Sequence, residues 1–128
     1  EGTNILQKHR ETLLPRLARQ DDDAVVQGLR QAARDLKVTL DIGSALVLRG
    51  DGKVANRQIL IGPDGEIQAT YDKLHMFDVD LPGGESYRES KNYRPGDRAV
   101  LADLPWGRLG LTICYDLRFP HLYRALAK

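Results

Sequence analysis

The first periodic pattern along the chain is helical. Apolar residues recur at spacings of three, four and seven, which predicts one face of an amphipathic helix over roughly residues 23–36. Aspartates occupy positions 21–23, where a carboxylate accepts hydrogen bonds from the free N–H groups of a helix start. Residues 5–20 have looser spacing, and Pro15 predicts a loop with a broken helical turn. The helix is therefore expected to pack through a face formed by Val25, Val26, Leu29, Ala32, Ala33 and Leu36.

The period then changes to two, which is typical of strands. Alternating apolar residues predict strands over 38–48, 54–61 and 67–71. Glycine-containing turns at 50–52 and 63–65 separate them. Short turns between consecutive strands favour an antiparallel meander.

The rest of the chain has a different character. Residues 74–97 are rich in Gly, Pro and charged residues, and they predict a long loop, which in a compact chain is usually functional or disordered. Two further strands are predicted at 100–104 and 108–114, and a helix is predicted after Pro120. A helix, a meander and then a strand leading into a helix indicate the α/β class.

Composition excludes several classes of protein. The chain has 128 residues, a formal net charge of +1, 41% hydrophobic residues and 6% aromatic residues. It is too apolar to be disordered, and its balanced charge argues against nucleic-acid binding. It has no apolar run of membrane-spanning length, its polar start does not resemble a signal peptide, and its single cysteine cannot form an internal disulfide. We therefore expect a soluble cytoplasmic protein that binds neither nucleic acid nor membrane.

That single cysteine, Cys114, has two interpretations. It follows an apolar strand and precedes a helix, a position that favours the thiolate and therefore nucleophilic chemistry. A free cysteine is also among the most commonly buried residues, and from position alone this structural role is the stronger interpretation. Spacing excludes a redox pair, since there is no second cysteine, and no ligand cluster suits structural zinc.

Two longer motifs change this balance. Residues 71–80 contain Lys-Leu-His-Met-Phe-Asp-Val, and residues 107–120 contain Cys-Tyr-Asp-Leu-Arg-Phe-Pro. Together with Arg-Glu-Ser at 88–90 and Pro-Gly-Asp at 95–97, they resemble the nitrilase, or carbon–nitrogen hydrolase, superfamily. The residues of these two motifs are most similar to those of its Nit branch, which includes omega-amidases and deaminated-glutathione amidases.

The resemblance implies a Glu-Lys-Cys catalytic set. Lys73 and Cys114 match the motif lysine and nucleophile, while Glu1 is the candidate glutamate and Glu89 the second glutamate found in many members. Taken alone, Lys73 and Glu89 would be interpreted as solvated charges and Glu1 as a chain terminus, so the joint motif carries the assignment. Burial is expected to raise the pKa of Glu1 and make it a better base.

Two further residues are candidates for substrate binding. The main-chain N–H of Tyr115 can stabilise an oxyanion, and its ring can line the pocket or simply pack. Arg118 can bind a substrate carboxylate or hold the loop after the cysteine. His75 is expected to be a structural hydrogen-bonding residue rather than a base.

The implied activity is hydrolysis of the amide of a small carboxylate-bearing substrate through a cysteine thioester, with release of ammonia. No metal or organic cofactor is required. The alternatives are hydrolysis of an N-carbamoyl compound or a nitrile, or a catalytically silent scaffold. The implied fold is a four-layer α-β-β-α sandwich that forms homodimers or larger homo-oligomers. Because family members are about twice this length, residues 1–128 are expected to form a partial domain, truncated at both ends.

Overall fold

A computed structural model describes residues 1–7 and 10–128. Residues 8 and 9, which belong to the loop predicted at 5–20, lie outside the described residues. The helices are α1 (Arg10–Leu13), α2 (Ala24–Leu36) and α3 (Pro120–Leu126). The strands are β1 (Leu40–Leu48), β2 (Val54–Ile61), β3 (Ile67–Asp72), β4 (Asp78–Asp80), β5 (Ser86–Arg88), β6 (Leu101–Leu104) and β7 (Gly107–Gly110).

Helix α2 confirms the predicted amphipathic helix. One carboxylate oxygen of Asp23 accepts hydrogen bonds from the main-chain N–H groups of Val25 and Val26, each at 3.0 Å, so this residue is the N-cap. The helix ends at Leu36, and the left-handed φ of 54° at its C-cap, Lys37, allows the N–H of Val38 to donate to Ala33 O at 3.2 Å. The predicted broken turn near Pro15 is also present, because α1 passes directly into a 3-10 turn at Leu14–Arg16.

The predicted meander forms the main sheet, in the order β1-β2-β3, with both pairs antiparallel. The register shifts between Ile42 and Ala45, where β1 contains an irregularity. One core cluster joins α2 to this sheet through residues that are almost fully buried on β1 and β2: Ile42, Ala45, Val47, Ala55, Ile59 and Ile61. The strands begin and end within two residues of the predicted bounds, since β1 starts at 40 rather than 38.

Two predictions for the second half of the chain were wrong. Residues 74–97 are not a structureless loop, because they contain the β4–β5 hairpin and a 3-10 turn at Glu89–Lys91. The strand predicted over 108–114 ends at Gly110, where its pairing with β6 stops. Leu111 and Ile113 nevertheless remain buried, because they pack against Tyr71 in a separate core cluster.

The chain then turns sharply toward α3. A 3-10 turn at Cys114–Arg118 follows the buried segment, and α3 begins two residues later with Pro120 at its first turn. The predicted helix after Pro120 is thereby confirmed. None of the helices within residues 1–7 and 10–128 is long and apolar enough to cross a membrane.

Candidate active site

Lys73 lies directly after β3, and its charged side chain is almost fully buried. Its side chain is 1% exposed, and its Nζ lies 2.8 Å from Glu1 Oε1 and 3.0 and 2.9 Å from the two carboxylate oxygens of Glu89. The main chain fixes its position as well, because its N–H donates to Asn56 O and its carbonyl accepts from Gly96 N–H, both at 2.9 Å.

These contacts settle the protonation state of the lysine. Burial alone would lower the pKa of Lys73, but the hydrogen bonds and negative charges of Glu1 and Glu89 outweigh burial and raise the pKa above its usual value. Lys73 is therefore a cation at neutral pH.

Glu1 is held by two donors. Its Oε1 accepts from Lys73 Nζ and from the Asn56 side-chain amide, at 2.8 and 3.1 Å. Asn56 in turn accepts a short hydrogen bond from the hydroxyl of Ser44. Both polar side chains are buried on the sheet, at 3% and 0% exposure, so a relay from β1 through β2 supports the Glu1 carboxylate.

The expectation that burial raises the pKa of Glu1 was wrong in its net sign. Burial does raise it, but the hydrogen bond and charge of Lys73, together with the Asn56 amide, have the larger combined effect. The pKa of Glu1 therefore lies below its ordinary value, and the carboxylate is ionised at neutral pH.

Glu89 connects the hairpin region to the lysine. It begins the 3-10 turn that follows β5, and one of its carboxylate oxygens also accepts from Phe77 N–H at 2.6 Å. The same carboxylate therefore contacts both Lys73 and the segment that leads into β4. The unexpected hairpin is what carries Glu89 to this position.

A cleft of about 470 Å³ joins these groups to the cysteine. The side chain of Cys114 is a free thiol and exposed, and it lines the same cleft as Glu1, Lys73 and Glu89. Apolar and aromatic side chains form much of the remaining wall: Ile5, Leu6, Leu46, Phe77, Tyr87 and Tyr93. Such a mixture of apolar wall and few convergent polar groups is typical of small-molecule sites.

Cys114 has a left-handed main chain, with φ of 45°. This conformation is unfavourable for residues other than glycine, and it occurs where the buried segment 111–113 turns into the 3-10 turn. Strained main chain of this kind concentrates at functional sites.

The two predicted substrate-binding residues are placed differently. The Tyr115 ring packs edge-on against Phe77 and Phe119, with ring centres 5.0 and 5.3 Å away. Tyr115 does not line the cleft itself, but it contacts Phe77, which does. Arg118 is exposed and is not among the residues that line the cleft. The structure thus brings together Glu1, Lys73, Glu89 and Cys114 but does not bring Arg118 to them.

Two buried polar residues that support the site, Asn56 and Asp116, were not predicted from the sequence. Asn56 is the first of three consecutive polar residues in β2, and nothing in the sequence distinguishes it from Arg57 and Gln58. Asp116 is fully buried, although it lies inside the cysteine motif, and no local pattern marks it. His75 does have the expected structural role, because its Nδ1 lies 2.7 Å from Asp116 Oδ1 and its ring stacks on Phe119.

Comparison with known proteins identifies the family. A family model described as carbon-nitrogen hydrolase matches residues 7–128. The chain belongs to the carbon–nitrogen hydrolase family. This confirms the resemblance inferred from the lysine and cysteine motifs.

Curated relatives within this family are amidases. The chain is 42% identical over 109 residues to the deaminated glutathione amidase of Yersinia enterocolitica, covering 83% of this chain and 38% of that protein. It is 40% identical over 102 residues to a human omega-amidase, covering 80% of this chain and 37% of that protein. The chain therefore spans less than half the length of these relatives.

Solved structures support the fold. Nit3 of Saccharomyces cerevisiae, a nitrilase-superfamily member, matches with a TM-score of 0.75 and 26% identity over 93% of this chain and 42% of that one. A mutant amidase from Nesterenkonia sp. AN1, with the acetamide moiety of fluoroacetamide covalently added at its active site cysteine, matches with a TM-score of 0.73 and 25% identity, covering 92% of this chain and 42% of that one. The carbon–nitrogen hydrolase chain described here thus forms part of the α-β-β-α sandwich, and the predicted fold class is confirmed.

Proposed function

We propose that the protein hydrolyses the amide of a small carboxylate-bearing substrate through a Cys114 thioester and releases ammonia. The observation that carries this proposal is the contact of buried, cationic Lys73 with the carboxylates of Glu1 and Glu89 in the cleft that also holds the exposed thiol of Cys114. The names of the relatives, an omega-amidase and a deaminated glutathione amidase, support an amide substrate of this type.

In the first step, Cys114 attacks the amide carbon. The Sγ–C bond forms, and the C–N bond breaks as the amide nitrogen takes up a proton and leaves as ammonia. The tetrahedral intermediate between these events carries an oxyanion, for which Lys73 Nζ and the main-chain N–H of Tyr115 are the proposed donors. Removing one donor of this type costs on the order of 3 kcal/mol in comparable sites.

Glu1 is the proposed general base. Its carboxylate takes the thiol proton and passes it to the leaving nitrogen. It then takes a proton from the water that attacks the thioester carbon and returns that proton to Sγ as the C–S bond breaks and the carboxylic acid product leaves. Its ionisation at neutral pH suits this role, because a base must begin deprotonated. Glu89 holds Lys73 in the cleft by its two carboxylate oxygens.

Arg118 and Tyr115 are the proposed substrate-binding residues. Arg118 lies outside the lining of the cleft, but its guanidinium is exposed and has no ion pair within the described part of the chain, so it is available to a carboxylate of a substrate that extends beyond the cleft. By contrast, Arg88 of the cleft already forms a forked contact with Asp80, at 2.7 and 2.8 Å. Tyr115 contributes its N–H and the rear of the aromatic wall.

For the whole protein, we extend the proposal to a cytoplasmic homodimer or larger homo-oligomer. A free, exposed thiol suits a reducing compartment. Leu117, on the turn that leads into α3, is 70% exposed and is a candidate contact for a second copy. Light scattering of the purified protein measures the oligomeric state directly.

Ammonia release tests the activity. The substrates are an α-keto dicarboxylate monoamide, deaminated glutathione, an N-carbamoyl amino acid and a simple nitrile. Cys114→Ala is the inactive control, and Asp103→Asn, on an exposed part of β6, is the matched control that should retain activity. Release from either amide that depends on Cys114 supports the proposal. Ammonia release only from the carbamoyl compound or the nitrile would show that the substrate is not an amide of the proposed class. No release from any substrate by the folded protein would favour a catalytically silent scaffold.

A further inference from the structure

Asp116 is a completely buried carboxylate that the proposed chemistry does not use. Its side chain is 0% exposed, and its two oxygens accept four hydrogen bonds. Oδ2 accepts from the Tyr71 hydroxyl at 2.7 Å and from Ile113 N–H at 2.9 Å. Oδ1 accepts from His75 N–H at 3.0 Å and lies 2.7 Å from His75 Nδ1. Burying a carboxylate is costly unless its oxygens are satisfied, and here the donors come from two separate segments.

These donors flank the two reactive residues of the site. Tyr71 and His75 lie two positions before and two positions after Lys73. The Tyr71 hydroxyl also accepts from Leu74 N–H at 3.2 Å, so this side of the network holds the main chain on both sides of the lysine. Ile113 directly precedes Cys114. One carboxylate thus ties the lysine segment to the cysteine segment.

The same residue holds the strained turn at the nucleophile. Asp116 N–H donates to Ile113 O at 3.1 Å, while its side chain accepts from Ile113 N–H. This reciprocal pair encloses Cys114, whose φ of 45° would otherwise relax toward an unstrained conformation. The thiol is exposed, so its position depends on this main-chain geometry rather than on packing around the side chain.

We propose that Asp116 is a positioning residue that fixes the Cys114 thiol relative to Lys73. This inference rests on the proposed function, because it assigns Cys114 and Lys73 to one reaction. Asparagine cannot replace the carboxylate, since it has one acceptor oxygen instead of two. Whichever way its amide turns, the nitrogen faces the main-chain N–H of either Ile113 or His75 and leaves it without an acceptor.

Two readouts test the proposal in Asp116→Asn. The first is kcat against KM for the amide that the protein hydrolyses best. We expect kcat to fall at least tenfold while KM stays within twofold, because the variant displaces the nucleophile and leaves the other residues that line the cleft in place. The second is the rate at which iodoacetamide alkylates Cys114, followed by mass. We expect a rate at least threefold lower, because relaxation of the turn would move the thiol away from the exposed position that it now has. Asp103→Asn is the matched control and should leave both unchanged.

Tyr71→Phe keeps the test decisive if Asp116→Asn does not fold. It removes only the hydroxyl link, and we expect about a threefold loss in kcat and a slower alkylation, with KM unchanged. The proposal is overturned if either folded variant keeps both rates within twofold of the parent, or if KM rises in step with the loss of kcat. Alkylation needs no substrate, so a parent protein that hydrolyses none of the test compounds would refute the proposed function while this measurement still decides the role of Asp116.

Discussion

Both carboxylate oxygens of Glu89 lie within hydrogen-bond distance of Lys73 Nζ, at 3.0 and 2.9 Å. The third hydrogen bond of Lys73 goes to Glu1. An ammonium has three donors, so the resting site leaves none of them for a substrate. Donation to an oxyanion therefore requires one contact to open. The forked contact to Glu89 can become a single one without leaving either carboxylate unpaired.

Replacing Lys73 tests how strongly the site depends on this cation. Lys73→Met leaves the Glu89 carboxylate, only 12% exposed, without its cation. We expect the free energy of unfolding to fall by about 3 kcal/mol, as when one partner of a buried ion pair is removed, and activity to fall at least about 100-fold. Urea denaturation and ammonia release measure the two effects.

A double variant separates stability from catalysis at this position. Adding Glu89→Gln to Lys73→Met removes the unpaired charge, so part of the stability should return while activity stays lost. Lys91→Met, on the neighbouring exposed lysine, is the control and should change the unfolding free energy by less than about 0.5 kcal/mol. An unaltered unfolding free energy in Lys73→Met would contradict the ion-pair network.

The Asn56 relay should matter for turnover. Asn56→Ala removes the amide that donates to Glu1 at 3.1 Å, a hydrogen bond to a charged group. Such bonds contribute about 1.5–3 kcal/mol, so we expect kcat to fall about tenfold or more with little change in KM. Ser44→Ala removes only the next link and should have a smaller effect. A larger loss in Ser44→Ala than in Asn56→Ala would argue against the relay.

Gly96 occupies a place where no side chain fits. A Cβ there would lie 2.2 Å from the carbonyl oxygen of Asp72, which is main chain and cannot easily move. We expect Gly96→Ala to lower the free energy of unfolding by about 2 kcal/mol. The change should also reduce kcat, because Gly96 N–H donates to the carbonyl of Lys73.

Gly83 provides the matched control for that substitution. A Cβ at Gly83 has no atom within 4 Å, so Gly83→Ala should change the unfolding free energy by less than about 0.5 kcal/mol. Differential scanning calorimetry of both variants makes the comparison. Equal melting temperatures would show that the Asp72 segment yields to the added methyl group.

The charges of the site predict its dependence on pH. The pKa of Glu1 is lowered, so its stabilising contribution is present above its ordinary value of 4.5 and is lost as pH falls through the lower folded value. The pKa of Lys73 is raised, so its contribution is present below 10.5 and is lost as pH rises through the higher folded value. Between these limits the ion pair is intact, and both stability and activity should change little through Glu1 or Lys73.

Urea denaturation between pH 5 and pH 3 tests the acid limit. The unfolding free energy of the parent protein should fall more steeply over this range than that of Glu1→Gln, which cannot titrate at position 1. Parallel curves for the two proteins would show that Glu1 does not contribute through its charge.

The sequence predicted those parts of the fold that depend on local patterns. Helix α2 follows from its apolar spacing and Asp23, and the β1-β2-β3 meander follows from alternation and short turns. The β4–β5 hairpin has no such pattern, because its Tyr87 is exposed and its neighbours are mostly charged or small. Leu111 and Ile113 keep a strand-like alternation without a strand partner, since burial against Tyr71 alone requires it.

The candidate site also combines residues that local motifs predict with residues that only the tertiary structure reveals. Lys73 and Cys114 lie in recognisable motifs, so the sequence predicted them together. The contact of Asn56 with Glu1 joins residues 55 positions apart, and that of Asp116 with Tyr71 joins residues 45 positions apart. Partners so distant along the chain follow from the tertiary structure, and no short pattern in the sequence encodes them.

The left-handed main chain at Cys114 lowers the stability of the protein at the position where the proposed activity requires a cysteine side chain. Glycine adopts this conformation without the penalty of about 1 kcal/mol that a side chain incurs. Cys114→Gly should therefore be inert yet harder to unfold than Cys114→Ala. Thermostability screens would favour the very replacement that removes the nucleophile, and the glycine variant is the better specimen for capturing an unreacted substrate in the cleft.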